Sequence, residues 1–419
     1  MLEELTIKNY KSISKLSFKL GRVNVFIGEN GCGKSNILEA IALAGAADAD
    51  KLDREFLLPR GIRATDPEDM ISLFSEQEKK EIEINVVIDE NDINFKLANN
   101  NKSYPNLERV LEILPEMHPH IDELKNNQEK YSNIVRLINK KFEKFENLEE
   151  IKKLNKTARK KLEAVLDDEL KEIKTHIEEL NSIEHTDTFL YKKINKTSRK
   201  LSNFLIYSPE NSSLRLFYKE GQIEPLGING EGLLKLLKVI SKDEPDSLEE
   251  IKRCLNLFDW YKDFDIPSEF SEEKNTLNIF DKYIKEKNID QRNANEGFLF
   301  VLFYMALIVS KDTPKIFAID NIDASLNPKL CTRLIKEICN LSKEHNKQLF
   351  LTTHNPAILD GLDLNDPEQK LFVVSRNRHG HTRVKEVTVQ DKPISSTGEP
   401  LRLSEAMLRG YLGGLPKGF

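Results

Sequence analysis

Apolar and polar positions along this chain change period several times, and each change marks an expected element. Residues 2–27 alternate as paired strands do and close on Val23-Asn24-Val25-Phe26-Ile27, an apolar strand. Helical spacing follows at Ile37, Leu38, Ala40 and Ile41, so a helix is predicted from near Lys34. Residues 81–97 return to period two and predict strand, and strand-like patterns recur at 204–208 and 214–218. In the last third, residues 298–309 predict helix, 316–319 a buried strand, 329–343 a helix and 348–352 a strand. Such βαβ alternation implies an α/β fold with a mostly parallel central sheet.

Between about residues 106 and 203 the pattern differs. Lysine and glutamate dominate, glycine is absent, and apolar residues recur at helical spacing: Ile134, Leu137, Ile138, then Leu162, Val165, Leu166. This predicts an inserted α-helical arm, a short coiled coil or helix pair, whose start is broken by Pro115 and Pro119. The expected organisation is a head lobe at 1–105, the helical insertion at 106–203, a second head lobe at 204–390 and a C-terminal tail at 391–419 packing on the head.

Composition narrows the function classes. With 419 residues, 39% apolar and 32% charged, the chain has a globular balance with a charge-rich portion. No apolar run reaches the ~20 residues of a membrane helix. The acidic start Met1-Leu2-Glu3-Glu4 fits neither a signal nor a transit peptide. Four cysteines without a CxxC pair point to the reducing cytoplasm. A net charge of −6 argues against general nucleic-acid binding, so any DNA contact needs a local patch. The arm offers one: residues 152–160, around Lys152, Lys153 and Lys156, reappear at 192–200, around Lys192, Lys193 and Lys196. Solvated helix faces and phosphate-contacting patches are both open readings of that repeat.

The strongest chemical signal is Gly28-Glu29-Asn30-Gly31-Cys32-Gly33-Lys34-Ser35, which fits GxxxxGK[ST] between a predicted strand and a predicted helix. Glycines let successive backbone N–H groups turn towards phosphate oxygens, and the helix N-terminus adds its dipole. Lys34 would meet the β- and γ-phosphates of ATP, and Ser35 would ligate Mg²⁺, with Asn30, Gly31, Cys32, Gly33 and Asn36 completing the cradle. The apolar strand Ile316-Phe317-Ala318-Ile319 ends in Asp320, the Walker B pattern, and a parallel strand would deliver that carboxylate to the Mg²⁺ shell.

The order of the next motifs resembles ABC-type ATPases. Asp320-Asn321-Ile322-Asp323-Ala324-Ser325-Leu326-Asn327-Pro328 is similar to a Walker B and D-loop, and Leu351-Thr352-Thr353-His354 to the strand bearing the switch histidine. Asn293-Ala294-Asn295-Glu296-Gly297 sits where the signature loop belongs, with Asn295 and Gly297 as its phosphate-facing positions. Asn9-Tyr10-Lys11-Ser12-Ile13 resembles the Asn-Phe-Arg-Ser-Phe of SMC-like and OLD-like proteins and brings Tyr10 and Lys11 into the nucleotide set. The likeness covers residues 1–60 and about 205–375. Within that group the chain looks most like antiphage-defence AAA-family ATPases with a short insertion, above all the PtuA subunits of Septu systems, and its tail at 403–416 resembles theirs.

The resemblance implies a homo-oligomer, a dimer or a higher ring, with ATP between subunits. It also implies an effector nuclease of HNH type supplied in trans, since no nuclease constellation is visible in this chain. DNA is the partner that the phosphate-contacting reading of the basic arm would take. About 65 residues follow His354, fewer than the C-terminal toprim nuclease of OLD and Gabija ATPases needs. An SMC-like ATP-hydrolysing DNA-handling enzyme is the alternative reading. A transporter's nucleotide-binding domain fits the insertion and the Asp-Asn-Ile-Asp motif poorly. Two positions depart from the family pattern. Asn295 replaces the signature serine, and Asn321 replaces the catalytic glutamate, so hydrolysis is expected to be weak or absent. The catalytic set is therefore Asp320, Asn321 and His354. His118, His120, His379 and His381 read as surface residues rather than metal ligands.

Overall fold

Three runs that are apolar or nearly so along their length form the centre of the molecule: β3 (Val23–Ile27), β11 (Ile316–Ile319) and β12 (Gln348–Thr353), each buried at every position. Burial on both faces is what a central parallel strand requires. The computed structural model describes residues 1–63, 66–72, 74, 81–99, 107–110, 201–216, 223–266, 276–285, 287–394 and 398–414. The chain divides into two units, Met1–Val110 with Arg199–Phe419, and Leu111–Ser198. The second unit lies outside the described residues, and with it most of the expected arm, both lysine repeats, His118 and His120; the arm's expected start at 107–110 is a strand.

The N-terminal part builds an antiparallel sheet from β1 (Leu2–Tyr10), β2 (Ile13–Lys19), β4 (Glu81–Ile88), β5 (Asn91–Asn99) and β6 (Leu107–Val110), in the order β2-β1-β4-β5-β6. The strand expected over 81–97 is a hairpin. Asp89 and Glu90 take positive φ and turn β4 back into β5. The central sheet runs β14-β13-β3-β12-β11-β7, where β7 is Ile206–Tyr207, β13 Gln369–Arg376 and β14 Thr382–Val387. Every neighbouring pair from β13 to β7 is parallel, and only β14 is antiparallel. A small antiparallel sheet, β8 (Tyr261–Asp265), β9 (Asn278–Asp281) and β10 (Ile289–Asp290), lies apart.

Alternation along the central strands feeds two cores. Val25, Phe317, Leu349 and Leu371 join one, and Phe26, Ala318, Phe350 and Phe372 the other. The first is covered by α3 (Leu233–Asp243), α4 (Pro245–Cys254), α5 (Glu296–Val309) and α6 (Pro328–Glu344). The second is covered by α1 (Lys34–Asp48) and the antiparallel sheet. Helix α5 is buried from Gly297 to Val309, which is why its sequence is apolar all round. Helix α6 buries Leu330, Leu334, Ile335, Ile338 and Leu341 at helical spacing, and Asn327 caps it by accepting from Leu330 N at 3.0 Å.

The strand expected at 214–218 is instead, over its described part, the end of a short helix α2 (Asn211–Arg215). Leu214 is fully buried there and Leu214 N bonds Glu210 O at 3.0 Å, so tertiary packing overrides a β-like local pattern. In the tail, α7 (Leu403–Leu408) seats Leu403, Ala406 and Met407 in the first core, and Ser404 Oγ donates to Asp360 Oδ2 at 2.6 Å. No helix among the described residues is long and apolar enough to cross a membrane.

Candidate functional site

Parallel strands place their carboxyl ends along one sheet edge, where ligands of open α/β sheets bind. Here β3 leads into Gly28, β12 into His354 and β11 into Asp320. The register sets Ile27 beside Thr353 and Ile319 beside Leu351. Residues far apart in the chain converge as a result.

The loop after β3 turns through Gly31 (φ 72) and Gly33 (φ 108), the latter immediately before α1. A Cβ at Gly28 would lie 2.1 Å from Val374 O and one at Gly33 2.2 Å from Thr382 Oγ1, so the loop is pressed onto β13 and β14. Two bonds hold it there: Arg376 Nε to Gly31 O at 2.8 Å and Thr382 Oγ1 to Cys32 O at 2.9 Å. Lys34 curls back over the loop, donating from Nζ to Gly28 O at 3.0 Å and Glu29 O at 2.9 Å. Burial lowers its pKa. Burial also raises the pKa of Cys32, whose thiol is enclosed beneath the loop and is no nucleophile.

Ser35 Oγ donates to Asp320 Oδ2 at 3.2 Å, and the Thr352 hydroxyl donates to Asp320 Oδ1. A serine hydroxyl and a carboxylate beside a phosphate cradle fit Mg²⁺, which takes hard oxygen ligands and completes its shell with phosphate and water. Asn321 follows with φ 56, a left-handed conformation that asparagine tolerates, and its N–H bonds Thr352 Oγ1 at 2.9 Å. Asp323 Oδ1 accepts from Thr353 Oγ1 at 2.6 Å and from His354 N at 3.4 Å. That carboxylate ties the strand ends together. His354 has its pKa lowered, first by desolvation and then by the charge of Lys34, while a backbone hydrogen bond at Gly28 opposes the shift. His354 is exposed, and its ring is within hydrogen-bonding reach of the Gly28 backbone.

Among the other expected residues, Asn30 and Gly31 lie on the exposed rim of the loop. Asn36 is committed on both sides, donating from Nδ2 to Ser12 Oγ at 2.8 Å and accepting at Oδ1 from Arg63 Nη2 at 3.1 Å. Lys11 pairs with Glu39, a carboxylate 1% exposed on α1. Tyr10 corrects the sequence reading. It is fully buried with its hydroxyl on Glu39 at 3.1 Å, so it supports the cluster rather than meeting a nucleotide. Asn295 is the N-cap of α5, accepting from Phe298 N at 3.3 Å. Gly297 packs on the D-loop, where a Cβ would lie 2.8 Å from Ser325 O. Neither falls among the contacts that join Lys34, Ser35 and Asp320.

Arg63 escaped the sequence reading. Its guanidinium pairs with Glu39 and bonds Asn36, and its side chain remains 64% exposed at the loop's edge. Glu39 was the available signal: an acid at a position of α1 otherwise flanked by buried apolar residues needs cationic partners. His379 and His381 sit in the β13–β14 hairpin. His381 packs on Phe74 at 4.7 Å between ring centres, an aromatic rather than a metal-binding setting.

A family model described as "AAA domain, putative AbiEii toxin, Type IV TA system" matches residues 23–360, most of the chain. The uncharacterized protein MJECL10 of Methanocaldococcus jannaschii is 34% identical over 120 residues, 27% of this chain and 53% of that protein. The DNA replication and repair protein RecF of Clostridium perfringens is 42% identical over 55 residues, 13% of this chain and 15% of RecF. The match thus spans about half of the first relative and a small part of the second. Among solved structures, an SmcHead bound to the C-winged helix domain of ScpA aligns with a TM-score of 0.49 at 17% identity, over 93% of this chain and 98% of that one. The SMC head domain from Thermotoga maritima aligns at 0.42 and 14%, over 93% and 99%.

Proposed function

This chain belongs to that AbiEii-type family of AAA domains, and from that premise we propose that it is the ATP-binding, ABC-type subunit of a bacterial antiphage-defence complex. In this reading, ATP with Mg²⁺ assembles the subunits and so governs an effector nuclease, of the HNH class, supplied in trans. The family's description, which names a toxin of a type IV toxin–antitoxin system, supports a defensive role. The likeness to PtuA subunits of Septu systems rests on the motifs and the tail.

One observation carries the proposal: the residue after Asp320 is Asn321, and the next acid along the chain, Asp323, is held by Thr353 and His354. Lys34 would bind the β- and γ-phosphates, and Ser35 and Asp320 would hold the metal. Asn321 can orient a water through its amide but cannot take its proton at neutral pH. ATP would then be retained and stabilise the assembly by mass action. Each chain supplies half of a site. The loop of one subunit faces Asn295 and Gly297 of a second copy, where Asn295 spends its amide oxygen on the cap and keeps its NH₂ for a phosphate oxygen.

The test is sedimentation velocity at micromolar protein, with and without ATP and Mg²⁺. The proposal expects ATP-dependent growth to a dimer or larger species. A monomer at saturating ATP would reject it. The RecF likeness supports the second reading, a DNA-handling enzyme that hydrolyses ATP, with DNA on the lysine repeats of the arm. Rapid, DNA-stimulated turnover would favour that reading instead.

A further inference from the structure

The other ends of the same strands border a cavity of about 690 Å³. That volume is typical of small-ligand sites. Arg22 leads into β3, Lys315 into β11 and Lys347 into β12, and all three line it. Strand β12 has six residues at ~3.3 Å each, so the cavity and His354 are separated by roughly 20 Å of strand.

The wall is cationic although the chain is net acidic. Arg22, Arg60, Lys311, Lys315 and Lys347 face three acids. Two of those acids are already engaged, Asp89 by the Met1 amino group and Glu224 by Lys235 at 2.6 Å, a lysine outside the wall. Arg22 and Lys311 have carboxylate partners, Glu368 at 3.0 Å and Glu244 at 3.3 Å. Among the described residues, Lys347 has none within ion-pair distance. It is 2% exposed, and its ammonium donates to Ser310 O at 2.8 Å, Thr313 O at 3.0 Å, Thr313 Oγ1 at 2.8 Å and Pro314 O at 3.3 Å. Those neutral oxygens solvate the charge without cancelling it, so its field persists in the cavity. Burial draws its pKa down to about 8, which still leaves it mostly charged at neutral pH.

Two side chains of the same wall each carry a buried polar atom. Tyr207 Oη and Arg60 Nε are buried without a hydrogen-bond partner among the described residues. Tyr207 is fully buried, wedged edge-on against Phe303 and Phe317. Arg60 is fixed over the Phe56 ring at 3.3 Å, with Nη1 on Phe56 O at 3.2 Å. Folded proteins seldom leave such donors unsatisfied. The wall they belong to is positive, and its complement is an oxygen-rich anion.

We propose that this cavity binds a small phosphate-bearing anion of pyrophosphate or nucleotide size, at a site separate from the glycine-rich loop. Guanidinium and ammonium groups also take carboxylates, so the experiment includes both chemistries. Pyrophosphate and, separately, citrate are titrated calorimetrically into the full chain carrying Lys34→Ala, which disables the loop. Saturable pyrophosphate binding is expected, weakened about tenfold by Lys315→Gln, the loss of one charge-assisted contact. Arg60→Gln combined with Lys315→Gln should weaken it further. Lys315 is exposed, so Lys315→Gln should leave the melting temperature without ligand unchanged, and the ATP affinity of a chain that keeps Lys34 should not change. Absence of saturation below about 10 mM, or equal affinity in parent and variants, overturns the proposal. Tighter binding of citrate than of pyrophosphate overturns the assignment to phosphate.

Discussion

The Ser35 hydroxyl donates to Asp320 Oδ2 at 3.2 Å across 285 positions of chain. Ser35 lies in the first turn of α1, after the loop that follows β3, and Asp320 follows β11; β3 and β11 are not neighbours, and Thr352 on the intervening β12 holds the other carboxylate oxygen. This arrangement sets the serine and carboxylate oxygens side by side, so mutations on either side should act on one site.

Replacing Lys34 by alanine removes an ammonium that here donates to the carbonyls of Gly28 and Glu29 and, at 3.9 Å, to Cys32 Sγ. ATP binding should fall by at least about a hundredfold, the loss of charge-assisted phosphate contacts, while the circular dichroism and melting curve stay close to the parent's. Calorimetric ATP affinity equal to the parent's would remove the loop from the site.

Asn321→Glu should create turnover. A positioned general base contributes ~10²–10⁴-fold, so steady-state hydrolysis should rise from a low parental rate by a factor in that range. Position 321 has φ 56, which glutamate accepts less readily than asparagine, so a modest stability loss should accompany the gain. Brisk parental hydrolysis abolished by Asp323→Ala would instead make Asp323 the working carboxylate.

His354 should make stability fall on the acid side. Its folded pKa lies below the ordinary 6.5. Between the two values the unfolded chain binds more protons, and stability therefore rises with pH through that window. The contribution is complete above about 6.5 and lost as pH falls through the folded value. Urea melts of parent and His354→Gln over pH 5 to 7.5 should differ in slope only below about 6.5. Parallel curves would show that His354 has no part in the pH response.

Glu39→Gln leaves Lys11 and Arg63 without their shared carboxylate. Lys11 is mostly enclosed, so the variant should lose about 2–3 kcal/mol by urea denaturation. Arg63→Ala, whose side chain is 64% exposed, should cost little stability but reduce ATP affinity by about tenfold. Unchanged affinity in Arg63→Ala would confine that cluster to a structural role.

The sequence by itself determined the elements whose pattern is strong and local. Continuous apolar runs became β3, β11 and β12, α5 appears as a helix without a polar face, and the glycine spacing fixed the turn at Gly31 and Gly33, because each follows from backbone sterics and solvent exclusion acting over a few residues. Only the tertiary structure decided what depends on distant partners. It turned the end of the pattern at 214–218 into helix α2, folded 81–97 into a hairpin, buried Tyr10 under Glu39 and brought Arg63 to Asn36. It also set Lys347 among carbonyls on the wall of a second cavity. None of these is encoded in a local period, since burial and charge pairing across 25 to 300 residues are set by which faces the assembled sheets leave for one another.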